Sequence, residues 1–155
     1  MNFKFKSGFT VVELLVVLAV AGIIMVVSVG AFSKAPGLEA LDKGTAVVLS
    51  SLERARNQTL SAKNASVYGV HFETQKVVMF RDSAYSSAST TNVVENLNPS
   101  IKISAINLSG GASEVVFERL TGETQKNGTV VISLVSNLAL TRTITIFKTG
   151  LSQSN

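Results

Sequence analysis

Residues 4–32 contain a long apolar run with two lysines, Lys4 and Lys6, in front of it and a single carboxylate, Glu13, just inside it. A carboxylate is costly in an apolar environment unless a partner neutralises it. Thr10 precedes Glu13 by three residues, which is the spacing of a capping box at the start of a helix. A carboxylate also suits the positive end of a helix dipole. Glu13 is therefore a helix cap, one half of an ion pair, or both.

No other side chains have the spacing of a reactive centre. The chain contains one histidine, His71, and no cysteine, which excludes disulfides, thiolate chemistry and cysteine zinc sites. A catalytic triad built on His71 needs an acid and a serine that the sequence does not single out. No phosphate-loop, dinucleotide-binding or zinc-ligand motif occurs. We expect no catalytic residue, no metal and no cofactor, and we expect His71 to be a partly exposed strand residue.

The apolar run determines the element that carries Glu13. Leu14 to Phe32 are 19 residues without a charge, or roughly 28 Å of helix, close to the ~30 Å of bilayer hydrocarbon. The lysines in front favour an orientation with the N terminus inside. A secretory signal has a shorter apolar core with its small-residue cleavage site behind it. Here the small residue, Gly8, comes before the run, so a cut after Gly8 leaves the whole apolar helix on the mature chain.

The charge balance says little about partners. The 155 residues include 14 basic and 10 acidic side chains, for a formal net charge of +4. Loss of residues 1–8 removes Lys4 and Lys6 and leaves 12 against 10, or +2. That excess is too weak to indicate nucleic-acid binding by charge alone.

Residues 34–155 are predicted to form an α+β domain. Pro36 and Gly37 indicate a kink or short break after the apolar helix. Apolar residues then recur at helical spacing, which predicts an amphipathic helix with Gly44 as its weak point. The predicted stripe consists of Leu38, Leu41, Val48, Leu52, Ala55 and Leu60.

From Ser66 onward the apolar pattern changes to a period of two, which predicts strands. A hairpin is expected around residues 73–75, and Gly122 is expected in a turn after a further strand. In each of three later strands the apolar residues lie on one face of that strand. These sets are Ile101 and Ile103, then Val130, Ile132 and Leu134, then Ile144 and Ile146. Residues 149–155 are expected to be a frayed tail. One long helix followed by several short strands predicts an antiparallel sheet packed on the helix stripe.

The segment KSGFTVVELLVVLAVAGII resembles the leader and first helix of the type IV prepilin family. The resemblance covers about 25 residues and implies three parts: a leader at 1–8, a membrane and filament-core helix at 9–33, and a soluble pilin-like domain at 34–155. It implies that a membrane-embedded prepilin peptidase cuts after Gly8 and N-methylates Phe9. It also implies that Glu13, fifth in the mature chain, meets the Phe9 amine of a neighbouring subunit or of its own during assembly.

The soluble part is similar to the GspH/FimT group of minor pilins and pseudopilins. Its positions that match the group's pattern are Leu52, Ala55, Arg56, Phe117, Gly122 and Gly150. Many major pilins have proline where this chain has Gly30, and many have a C-terminal cysteine pair that is absent here. These departures favour a minor subunit.

Three interpretations follow for function. The first is a minor pilin or pseudopilin, a structural subunit of a secretion pseudopilus or type IV pilus in the cytoplasmic membrane. Its expected partners are other pilin subunits, the prepilin peptidase, the assembly platform and membrane lipid. The second is a FimT-like minor pilin that binds DNA during uptake, with Arg142 and Lys148 as candidate contacts among a set of basic residues that includes Arg119 and Lys126. The third, a signal-anchored enzyme, lacks a cluster of reactive side chains.

Overall fold

The computed structural model describes residues 9–32 and 35–155, and it describes side chains at residues 9–26 and 37–155. The chain divides into two compact units, Met1–Pro36 and Gly37–Asn155. The predicted leader, including Gly8, lies outside the described residues.

The first helix, α1, spans Val11–Phe32. Thr10 caps it, because the Thr10 Oγ1 atom accepts a 3.2 Å hydrogen bond from the Glu13 N–H. The Thr10 half of the predicted capping box is therefore present. Over residues 9–26 and 37–155 no helix is both long enough and apolar enough to cross a membrane. The predicted membrane helix at 9–33 extends beyond this part of the chain and stays a prediction.

The second helix, α2, spans Ala35–Leu60 and has Pro36 in its first turn, where a missing N–H group costs no helical hydrogen bond. Residues 33 and 34, at the predicted break, lie outside the described residues. Two short 3₁₀ turns, Lys63–Ala65 and Ser109–Gly111, interrupt the later chain. The strands are β1 Tyr68–Glu73, β2 Lys76–Arg81, β3 Val93–Asn96, β4 Ile101–Leu108, β5 Glu114–Val116, β6 Gly128–Leu134, β7 Thr141–Ile146 and β8 Ser152–Ser154.

The strands form two antiparallel sheets, where the sequence predicted one. The first sheet has the order β3-β2-β1-β5 and the second has the order β4-β6-β7-β8. The β1–β2 turn connects the sheets, because the Ile103 N–H donates to the Thr74 carbonyl at 2.9 Å and the Gln75 side chain donates to the Ile101 carbonyl at 3.0 Å. The period-two pattern gives the face of each strand but not its partner, so the division into sheets was not readable from the sequence.

One face of α2 covers a core that both sheets share. Leu41, Val48, Leu52 and Ala55 of the predicted stripe are fully buried, whereas Leu38 and Leu60 at its ends are exposed. The stripe is thus confirmed over its central part. The same face also buries Thr45, Ser51 and Thr59, whose hydroxyls donate to the backbone carbonyls of Leu41, Val47 and Ala55 one turn earlier.

Gly44 lies inside α2, where the helix packs against the second sheet. A Cβ atom at Gly44 would collide with the Cδ1 atom of Ile101 on β4. The missing side chain therefore allows α2 to approach the second sheet closely.

The period-two pattern predicted the buried faces of the strands. Ile101, Ile103, Val130, Ile132, Leu134, Ile144 and Ile146 are all buried. The expected frayed tail was wrong, because β8 pairs with β7 and places Ser152 opposite Ile146. Its polar sequence carries no apolar alternation, so only the backbone pairing reveals it. The short strand β3 was also missed.

Leu52→Ala should remove about 2–5 kcal/mol from the free energy of unfolding, because it leaves a cavity where α2 meets the shared core. Denaturant unfolding of the purified chain, followed by circular dichroism, measures this change. Leu38→Ala is the matched control and should cost about 1 kcal/mol or less, since Leu38 is already exposed. Equal losses in the two variants would contradict the assignment of the buried face.

Candidate processing and assembly site

Phe9 and Glu13 are four residues apart at the start of α1. Phe9 precedes the helix and is 81% exposed. Glu13 lies in the first turn and is also exposed. If the chain begins at Phe9, its amino group is therefore four residues from Glu13, just before the first turn of α1.

The surface around this pair is apolar on all sides. Between residues 11 and 26 the large apolar side chains range from 49% exposed at Val20 to 76% at Val11 and Val26. A helix that is apolar all round needs lipid or other helices to cover it. Such a cover lowers the local dielectric constant, which makes an unpaired Glu13 carboxylate costly and a paired one selective for its partner.

Three of the positions that resemble the GspH/FimT pattern, Arg56, Gly122 and Gly150, meet near the C-terminal end of α2. Leu52, Ala55 and Phe117 are fully buried. The Arg56 side chain donates from Nε to the Gly122 carbonyl at 3.1 Å and from Nη2 to the Thr149 carbonyl at 3.5 Å. Arg56 thereby joins the helix to two turns that lie far from it in sequence.

Gly122 and Gly150 allow these two turns to touch. Both have positive φ angles, 66° and 76°, which residues with a side chain adopt only at a cost. A Cβ atom at Gly150 would collide with the Gly122 carbonyl oxygen and would lie 3.0 Å from Arg56 Nε. The pattern therefore has a structural explanation, which is the packing of two turns under an arginine.

The basic residues singled out in the sequence contact different partners. Arg142 on β7 donates from Nε and Nη2 to the Asp42 carboxylate on α2, both at 3.0 Å. Arg119 donates to the Ala65 carbonyl at 3.4 Å, and Lys148 is exposed. Arg142 is thus already paired with a carboxylate, a partner 100 residues away that sequence reasoning missed.

His71 lies in β1 and is partly exposed, as predicted. Its ring stacks on Tyr85 with centroids 4.0 Å apart, and its Nδ1 atom is 3.5 Å from a Glu114 carboxylate oxygen. Neither partner was named from the sequence, because the loop that carries Tyr85 has no periodic pattern.

A charged pair elsewhere is local: Glu39 and Lys43 are 2.7 Å apart on the exposed side of α2. Their hydrogen bond lowers the pKa of Glu39 and raises the pKa of Lys43.

Gly150→Ala should destabilise the fold by about 2–4 kcal/mol, because it adds a backbone collision with Gly122 to the cost of a left-handed alanine. Gly111→Ala is the matched control. Gly111 also has a positive φ angle, 66°, but its Cβ would meet no atom within 4 Å. It should lose only about 1–2 kcal/mol. Thermal unfolding of both variants measures the difference, and equal losses would show that the contact between the turns contributes nothing.

Comparison with known proteins identifies the N-terminal segment. Residues 3–29 match the model of the prokaryotic N-terminal methylation motif. No curated protein and no solved structure matches the chain. The matched residues include Gly8, Phe9 and Glu13. The match indicates a type IV pilin-like prepilin leader, which prepilin peptidase processes and which goes with a membrane-anchored N terminus.

Proposed function

We propose that the chain is a minor pilin or pseudopilin of GspH/FimT type, a structural subunit of a secretion pseudopilus or type IV pilus. The peptidase cuts after Gly8 and N-methylates Phe9, and the helix at 9–33 anchors the subunit in the cytoplasmic membrane with its N terminus inside. The soluble domain at 34–155 then lies outside and enters the filament through the assembly platform. The chain is a substrate of the peptidase and a filament component, not an enzyme.

The observation that carries this proposal is the position of Glu13. Its carboxylate stands on the first turn of an otherwise apolar and exposed helix, four residues after Phe9, inside the matched methylation motif. In a filament, where apolar helices pack together, the Phe9 amine of a neighbouring subunit neutralises Glu13. Because only one axial offset brings the two groups together, the pair sets the register of docking.

The soluble domain supports the finer assignment. Three residues of the GspH/FimT-like pattern, Arg56, Gly122 and Gly150, meet in one place, with Arg56 joined to the turns at Gly122 and Thr149. The alternative of DNA uptake through Arg142 and Lys148 has less support, because Asp42 already neutralises Arg142.

Cleavage after Gly8 predicts a mature chain that begins at Phe9 and carries one added methyl group on its amine. Intact-mass spectrometry and N-terminal sequencing of the chain from a host with an active prepilin peptidase measure both features. Gly8→Val should leave the leader in place, because it adds a branched side chain directly before the bond that the peptidase cuts. A wild-type chain that still begins at Met1, or that begins beyond Phe32, would contradict the proposal.

Glu13→Ala and Glu13→Gln should both reduce incorporation into filaments with partner subunits. Each leaves a buried amine without its carboxylate, which costs about 3–5 kcal/mol per docked subunit. Co-purification of the subunit with sheared filaments gives the measurement. Glu53→Gln removes an exposed carboxylate from α2 and should assemble normally. Normal incorporation of both Glu13 variants would remove the register role while leaving the processing prediction intact.

A further inference from the structure

A cleft of about 170 Å³ lies at the C-terminal end of α2, between the turn that follows the helix and the first sheet. Three cationic side chains line it: Arg54 from α2, Lys63 from the turn and Arg81 from β2. Gln58, Tyr68 and Thr91 add amide and hydroxyl groups. Among the residues that the structure describes, no carboxylate lines this cleft. We call it the basic cleft.

Two of the three cations have no side-chain partner among the residues that the structure describes. The side chains of Arg54 and Lys63 form no hydrogen bond or ion pair with any other described residue. The Asp82 carboxylate is 3.9 Å from Arg81 Nε, but it is 72% exposed and lies outside the lining. The positive charge of the basic cleft is therefore only weakly compensated.

Arg81 is held in place by the turn itself. Its Nε atom donates to Ser66 Oγ at 2.8 Å and its Nη2 atom donates to the Asn64 carbonyl at 3.3 Å. These bonds fix one guanidinium at the wall of the cleft, so a ligand would not have to order that side chain. Pre-organised donors of this kind bind an oxyanion at a lower entropic cost than flexible ones.

The turn that carries Lys63 has an unfavourable backbone. Ala62, Asn64 and Ala65 have φ angles of 48°, 53° and 53°, a region that residues with a Cβ atom seldom occupy. Tyr68 supports this shape, because its hydroxyl accepts from Asn64 Nδ2 at 3.2 Å and donates to the Lys63 carbonyl at 3.4 Å. Backbone strain of this kind is concentrated at binding sites in proteins.

The chemistry of the lining selects the ligand. The end of α2 contributes a negative partial charge of about half a unit, against three full positive charges from the side chains. Two guanidinium groups match the geometry of phosphate oxygens. The cleft is smaller than the roughly 300–1,000 Å³ of pockets for drug-sized molecules. We propose that the basic cleft binds a phosphate group, either free or as the head group of a phospholipid.

The test is a calorimetric titration of the full-length chain in an uncharged detergent. Sodium phosphate should bind saturably at one site, while sodium chloride at equal ionic strength should not. Replacing Arg54 and Lys63 together by alanine should raise the Kd for phosphate by about tenfold or more, because hydrogen bonds to charged groups are lost. Both side chains are exposed, so the double variant should fold normally. Arg81 is left unchanged, since it supports the turn.

The matched control replaces Lys43 and Lys148, which removes the same charge from exposed positions outside the basic cleft. Its Kd for phosphate should change by about twofold or less. A soluble short-chain phosphatidic acid, titrated in the same way, distinguishes the source of the phosphate. Binding of the lipid alone, lost in the Arg54 and Lys63 double variant, would assign the site to a phospholipid head group. Absence of saturable binding for both probes, or equal weakening in the two double variants, would overturn the proposal.

Discussion

Burial of one face of α2 is the interaction on which the unit Gly37–Asn155 depends. Each of the two four-stranded sheets has an apolar face that needs a cover, and the same helix covers both. Full burial of a leucine or valine contributes about 1.5–3 kcal/mol, and Leu41, Val48 and Leu52 are all fully buried. The exposed ion pair between Asp42 and Arg142 contributes about 0–1 kcal/mol. Packing therefore stabilises the fold, while the polar contacts orient the helix on it.

The two helices have similar lengths but differ in how their apolar surfaces are covered. α2 has one apolar face, which its own chain covers. α1 is apolar all round and is exposed over residues 11–26, so its cover must come from lipid or from other subunits. Glu13 is the exception on that surface. A carboxylate there discriminates among possible covers, because it is tolerated only where a cation or water meets it.

The parts of this structure that were predictable are those in which local pattern determines the result. Apolar spacing predicted the α2 stripe at Leu41, Val48 and Leu52, and it predicted the buried faces of β4, β6 and β7. The helix cap at Thr10 and the methylation motif are likewise local signals. β8 was missed because its strand character comes from pairing with β7. Contacts between distant residues, such as Arg142 with Asp42, carry no local signal. The convergence of Arg54, Lys63 and Arg81 carries no local signal either, because residue spacing alone does not show how a strained turn folds back.

The contact of Arg56 with the turns at Gly122 and Thr149 has a consequence for the order in which the chain matures. The ribosome releases α2 before the strands, and the backbone carbonyls that Arg56 binds follow it by 66 and 93 residues. Until they emerge, the apolar face of α2 has only part of its cover, and exposed apolar surface of this kind promotes aggregation during synthesis. The nascent chain therefore exposes part of this face until nearly all of the unit Gly37–Asn155 has been made.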